Sequence, residues 1–141
     1  YGYGFGTPAS RLQDLDRDMK IIMDRLGKLN PPPIQNPLPI LIGGGGEKVT
    51  LRIVAEYATI WNGQGEPEEL RHKNQVLDEW CAKVGRDPNE IERSAQIFGP
   101  QLDKLDEYYD AGITHFIAAS PGPDYDLSDL EKLLAFRDAR R

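Results

Sequence analysis

Four consecutive glycines lie between a short apolar segment and a stretch with helical spacing; they are Gly43, Gly44, Gly45 and Gly46. Glycine has no Cβ atom, so these positions can adopt positive φ values and let another group approach the backbone closely. The first N–H groups of a helix have no acceptor within the helix, and the helix dipole favours negative charge at that end. We therefore predict that the glycine loop, defined as residues 43–49, binds an anion, with phosphate as the natural ligand.

Two polar residues strengthen the prediction of an anion site. Lys48 can supply a mobile positive charge, and Thr50 can donate a hydrogen bond from its hydroxyl. The simpler alternative is that the glycines only make a tight connection between a strand and a helix, and for a glycine run taken alone this alternative stays open. The spacing does not fit a phosphate-binding Walker motif, because Lys48 is neither preceded by glycine nor followed by Ser or Thr.

Apolar spacing on either side of the loop predicts the elements that position it. Residues 40–42 form the short apolar run expected of a parallel strand that is covered on both faces. The residues from Thr50 onward recur at helical spacing, and a second strand then ends at Trp61 and Asn62. Over the whole chain the pattern alternates helix and strand, with four strands and a helix at each end. This alternation is typical of an α/β fold with a parallel sheet.

The segment PILIGGGGEKVTLRIVAEYATIWN, residues 39–62, carries a resemblance to a known family. It resembles the signature found near the C-terminal half of the bacterial luciferase-like monooxygenase superfamily, particularly the branch that uses the deazaflavin coenzyme F420. The similarity extends over about residues 10–120, and outside residues 39–62 it is mainly one of pattern. Members of this family are (β/α)8 TIM barrels that bind a flavin or deazaflavin at the C-terminal ends of the strands.

The resemblance implies which residues bind the cofactor and which reaction they serve. It implies that the residues at or near the cofactor phosphate are Gly43, Gly44, Gly45, Gly46, Lys48 and Thr50, and that those shaping the cleft are Trp61 and Asn62. It implies an oxidoreductase that transfers a hydride between a small organic substrate and F420. Two alternatives remain: an FMN-dependent monooxygenase of the same fold, and a non-catalytic fragment that keeps only the phosphate site. No catalytic acid or base is assigned.

Length sets the expected domain organisation. A complete barrel of this type needs about 250 residues, whereas the chain has 141. We expect residues 1–141 to form a single α/β unit, the C-terminal half of a larger luciferase-like barrel whose N-terminal half is absent from this sequence. A sheet of four strands leaves two edges that favour pairing with another chain. We therefore expect the protein to form a homo-oligomer or to associate with the missing half.

Composition excludes some partners. The net charge of −6 and pI near 4.9 argue against nucleic acid, whose phosphates call for a basic surface. No apolar run approaches the ~20 residues that span a bilayer, and no signal peptide pattern is present. The single cysteine, Cys81, lies in a helical apolar pattern that favours a buried structural thiol. A metal-ligand cluster is not evident, and a reducing cytoplasm fits this cysteine usage.

Overall fold

The computed structural model describes residues 2, 4–119 and 123–140. Helices and strands alternate along the chain, and the bounds are α1 Pro8–Leu26, β1 Leu41–Gly43, α2 Thr50–Tyr57, β2 Ile60–Gly63, α3 Pro67–Val84, β3 Glu92–Ile97, α4 Leu105–Asp110, β4 His115–Ala118 and α5 Ser128–Asp138. Short 3₁₀ turns precede β3 and α4. The predicted fold class, an α/β fold of parallel strands alternating with helices, is confirmed.

The strands form one parallel sheet in the order β1-β2-β3-β4. Sequential order means that each helical connection returns the chain to the neighbouring strand, as in a (β/α) barrel. Gly43 is in register with Asn62, which is in register with Ser94 of β3. All carboxyl ends therefore lie at one edge of the sheet. The glycine loop leaves the sheet at that edge.

One face of the sheet packs against helices and holds the core. Successive side chains of a strand point to opposite faces of the sheet. Those on this face include four that are buried: Ile42, Trp61, Ala95 and Ile97. They form one cluster with the apolar faces of α2 and α3, which pack against each other. Trp61 is the largest fully buried side chain of this cluster. The core therefore begins directly beneath the glycine loop.

The opposite face of the sheet is only partly covered. Leu41 is 47% exposed, while Ile60, Gln96 and Ile117 on the same face are half-buried. The prediction that the first strand is covered on both faces is therefore wrong for the described residues: Ile42 is buried, and both of its neighbours in the strand are exposed. The side chains of residues 40–42 are apolar on both faces of the sheet, but helices cover only one of the two faces.

The long helices begin where the sequence offers caps. At the start of α1, Thr7 and Ser10 form a reciprocal capping box and Pro8 occupies the first turn. At the end of α3, Gly85 adopts the left-handed conformation with φ 73°. Within the described ranges, no helix is long and apolar enough to cross a membrane.

Candidate functional site

The glycine loop borders a cleft at the carboxyl edge of the sheet. The cleft has a volume of about 420 Å³ and is lined by Gly43, Gly44, Gly45, Asn62 and Gln64. It therefore joins the ends of β1 and β2, the edge at which barrels of this kind carry their active sites. The helix α2 begins at Thr50, directly after the loop, and its N-cap residue Val49 offers no capping side chain.

Protein donors bind the carbonyl groups of the loop. The indole of Trp61 donates to the carbonyl of Gly44 at 2.8 Å, and the indole of Trp80 donates to the carbonyl of Glu47 at 2.7 Å. Amides of α2 donate to two further carbonyls, Leu51 to Gly46 and Ile53 to Val49, each at 3.0 Å. Both tryptophans of the chain thus hold this loop, one near each end.

Most amide groups of the same segment have no such partners, and Gly44 is the exception. Gly44 N–H donates to the carbonyl of Asn62 at 3.0 Å. Within the described part of the chain, none of the backbone amides of residues 45–50 donates to a backbone or side-chain acceptor. Consecutive free amides at a helix N-terminus form an anion-binding concavity, and the dipole of α2 adds to the attraction. Four carbonyls of the loop, those of Gly44, Gly46, Glu47 and Val49, therefore bond to protein donors, while the amides after Gly44 have no described acceptor.

Thr50 shapes the loop from beneath. A Cβ atom at Gly44, where φ is +120°, would lie 3.2 Å from the Thr50 methyl group, and one at Gly46 would lie 2.8 Å from the Thr50 hydroxyl oxygen. The Thr50 residue is only 6% exposed, and its hydroxyl makes no hydrogen bond to any described residue. The Thr50 hydroxyl, at the start of α2, is thus available as a donor beside Gly46.

Lys48 and Lys73 supply positive charge from different elements. Lys48 is exposed and forms no ion pair with the described residues. Lys73 comes from α3 and donates to Glu47 at 2.5 Å, while His72 lies 3.2 Å from the same carboxylate oxygen. The hydrogen bond from Lys73 is the main cause of a lowered pKa at the Glu47 carboxyl. Sequence reasoning missed Lys73 because it lies far from the glycines along the chain.

Trp61 and Asn62 lie within β2, two positions and one position, respectively, before Gly63, which ends the strand. Trp61 is fully buried, so its contact with the site is the hydrogen bond to the loop. Asn62 is half-buried, lines the cleft and donates through Nδ2 to the hydroxyl of Ser94 at 3.0 Å. The structure thus brings every predicted site residue to the loop, with Trp61 behind it and not facing the cleft.

Two glutamines extend the polar wall of the site. Gln64 follows β2 and lines the cleft. Its side-chain amide nitrogen, Nε2, donates to Oε1 of Gln96 in β3 at 2.9 Å. Neither residue was singled out by the sequence analysis. Gln96 shares its sheet face with Ser94 and Asn62. The alternation of polar residues along β3, which this register makes visible, is the signal that could have identified it.

A larger cleft of about 710 Å³ lies at the opposite edge of the sheet. There Arg93 donates to Asp78 at 2.6 Å, while its Nη1 and the Oδ1 of Asn74 are buried without a hydrogen-bond partner. Barrel active sites lie at the other edge, so this cleft is not our candidate site. In the part of the chain that the structure describes, no cluster of His, Cys, Asp or Glu could hold a metal ion.

Comparisons with known proteins relate the chain to one fold. No family model matches the sequence, and no curated protein matches it. Among solved structures, the chain is similar to the coenzyme F420-dependent tetrahydromethanopterin reductase from Methanopyrus kandleri, with a TM-score of 0.54 and 14% sequence identity. The match covers 68% of this chain and 49% of that protein, so the chain spans about half its length. Similarity at this level of identity establishes a shared α/β barrel-type fold, and function has to be argued from the site.

Proposed function

We propose that the chain is a cofactor-binding unit of a luciferase-like oxidoreductase, one that transfers a hydride between a small organic substrate and coenzyme F420. The proposal treats residues 1–141 as one α/β unit of a larger barrel. The similarity to an F420-dependent reductase supports this choice of cofactor. The resemblance of residues 39–62 to the luciferase-like signature supports it independently of the fold.

The observation that carries the proposal is the row of free backbone amides at residues 45–50. The first amides of a helix lack acceptors within the helix, and here the amides of the preceding residues, which are exposed or half-buried, are unpaired as well. A consecutive row of this kind is suited to binding an anion. A phosphate offers several acceptor oxygens that can bind such a row together with the Thr50 hydroxyl and the Lys48 ammonium.

The residues of the chain then have distinct roles. The amides of the glycine loop, Lys48 and Thr50 bind the phosphate, and Trp61 positions the loop. Asn62 and Gln64 extend from the loop along the strand ends, where they orient the remainder of the cofactor. When bound, F420 supplies the hydride chemistry. We assign no acid or base of this chain to the reaction.

The alternatives differ in cofactor and in turnover. FMN also carries a phosphate, so the loop serves an FMN-dependent monooxygenase equally well. Bound FMN absorbs in the blue and the deazaflavin at shorter wavelength, so the absorption spectrum of the complex distinguishes them. Binding without hydride transfer in the presence of the complete barrel would indicate a non-catalytic unit.

The test is a titration of the protein with F420 and with FMN, followed by ¹H–¹⁵N correlation spectra. We expect one cofactor to bind and to shift the amide signals of residues 45–50. The variant Gly45→Val is the sharpest probe, because a Cβ atom there meets only the Lys73 side chain, at 3.7 Å, and φ is not positive. The added side chain obstructs the approach to the amides, so we expect affinity to fall by at least tenfold.

The matched control is Gly27→Val at the end of α1, where the nearest atom to a new Cβ is 3.6 Å away and φ is −68°. It should bind the cofactor like the unaltered protein. Unchanged affinity in a folded Gly45→Val variant, or failure of the unaltered protein to bind either cofactor, would overturn the proposal. Gly44→Val is less informative, since φ of +120° at Gly44 makes any side chain strained whether or not a ligand binds.

A further inference from the structure

Lys73 lies beside the glycine loop although it belongs to a different element. Its Cε atom is 3.7 Å from the position that a Cβ atom would take at Gly45. The ammonium group is one bond farther along and is half-buried, and the packed stem restricts its movement. Trp80 stands seven residues later on α3, on the same side of the helix, and holds the carbonyl of Glu47. One face of α3 therefore supports the loop and brings a cation to it.

Glu47 is the present counter-ion of this cation. Its carboxylate binds Lys73 and His72 through the same oxygen, Oε1. Glu47 is itself a member of the loop, and its own backbone amide is among the free donors of residues 45–50. The Glu47 carboxylate thus contacts Lys73 and His72, and it accepts no hydrogen bond from the neighbouring backbone amides of residues 45–50. The Thr50 hydroxyl, in a residue only 6% exposed, has no hydrogen-bond partner among the described residues and lies beside Gly46, the neighbour of the glycine that Lys73 approaches.

We propose that Lys73 is the second cation of the phosphate site and that Glu47 is an internal competitor, which a bound phosphate displaces from Lys73. This inference rests on the proposed function, because it assigns a further residue to the same phosphate site. A phosphate can accept from the loop amides and from Lys73 at the same time, whereas the contacts of the Glu47 side chain are with Lys73 and His72 alone among the described residues. The exchange is therefore favoured when phosphate is bound and reversed when it leaves.

In this arrangement Lys73 raises the affinity for phosphate and Glu47 lowers it. Without Lys73 the ligand loses a cation, so affinity falls. Without the Glu47 carboxylate the lysine is free before binding and no ion pair has to be broken, so affinity rises. The two effects are coupled, because Glu47 opposes binding through Lys73. The Glu47→Gln change keeps the backbone carbonyl that Trp80 holds.

The experiment is a titration with inorganic phosphate, followed through the amide signals of residues 45–50 in ¹H–¹⁵N spectra. We expect Lys73→Met to raise the Kd by about two- to fivefold and Glu47→Gln to lower it by a similar factor, as for one partly exposed charge pair. In the double variant, the gain from Glu47→Gln should disappear. The matched control is Lys28→Met, which removes a lysine paired to Asp24 at 2.6 Å on α1 and should leave the Kd unchanged.

The outcomes separate this inference from the proposed function. If the unaltered protein binds phosphate but Lys73→Met has the same Kd, Lys73 is not part of the site and only the inference fails. If Glu47→Gln strengthens binding equally with and without Lys73, the carboxylate acts by simple repulsion, and the displacement is refuted. If phosphate shifts no amide of residues 45–50 in the unaltered protein, both the site and the inference fail.

Discussion

Lys48 is the residue whose contribution to the loop is easiest to isolate. It is exposed and has no ion-pair partner among the described residues, so removing it breaks no internal contact. We expect Lys48→Met to weaken phosphate binding by a few-fold and to reduce the dependence of the Kd on salt, because an exposed charge is screened. Stability should stay within about 0.5 kcal/mol, as for a surface substitution. Phosphate titrations at low and high ionic strength measure both effects.

Lys20→Met is the control for this change. Lys20 is likewise exposed and lies on α1, away from the loop, so its removal makes the net charge more negative by the same amount. Equal weakening by both variants would mean that Lys48 acts through overall charge and makes no contact with the ligand.

Residue types predicted the loop better than they predicted its surroundings. A glycine run before a helical pattern is a local signal, and Lys48 and Thr50 lie within it. Trp61 was placed correctly along the chain, but its burial depends on how β2 packs against the helices. Lys73 lies on α3, and only the folding of that helix against α2 brings it to the loop. Contacts between elements of this kind leave no spacing signal in a single sequence.

At the scale of elements, an ion-pair network joins α1 to α2. Arg52 of α2 donates to Asp16 of α1 at 2.8 Å and to Glu56 of its own helix at 2.8 Å. The hydrogen bond from Arg52 lowers the pKa of the Asp16 carboxyl below its ordinary value. The folded state therefore favours the ionised form of Asp16. This contribution of Asp16 to the free energy of unfolding is fully present above its unfolded pKa of about 4. It is lost as the pH falls through its folded pKa.

We expect Asp16→Asn to lower the free energy of unfolding by about 0.2 to 1 kcal/mol at neutral pH, since the pair is partly exposed. The difference from the unaltered protein should shrink as the pH falls from neutral through the folded pKa of Asp16, and reach zero in strong acid, where Asp16 is protonated in both states. Urea denaturation at the two pH values measures this. Asp18→Asn is the control, because Asp18 pairs with the adjacent Arg17 and joins no second element. A difference that persists undiminished in acid would contradict the ion-pair explanation.

The elements themselves follow from the sequence to within a few residues. The predicted alternation is the observed order, since apolar spacing and the glycine and proline punctuation are local features. Strand bounds differ more: the second strand was predicted to end at Trp61 and Asn62 and extends to Gly63. Pairing with neighbouring strands sets these limits, so spacing along one chain cannot fix them.

At the scale of the whole molecule, the sheet has one covered and one partly open face. Leu41, Ile60 and Ile117 lie on the open face together with the polar Asn62 and Gln96. The strands at the two ends of the order, β1 and β4, each pair with one described neighbour. Apolar side chains on an open face and unpaired strand edges both favour association. In a closed barrel the open face and the strand edges are buried within one sheet. Separate chains can bury these surfaces by associating with each other.

We therefore expect the 141-residue chain to self-associate, so that its mass in solution exceeds the 15.9 kDa of one copy and rises with concentration. Sedimentation equilibrium measures this directly. Leu41→Lys should shift the equilibrium towards the monomer, because it places a charge among the apolar side chains of the open face, on the edge strand β1. Val84→Lys is the control: Val84 is 39% exposed at the end of α3, away from that face. A chain that stays monomeric at every concentration would show that the open face is stable in water. Equal effects of the two lysines would show that association uses a different surface.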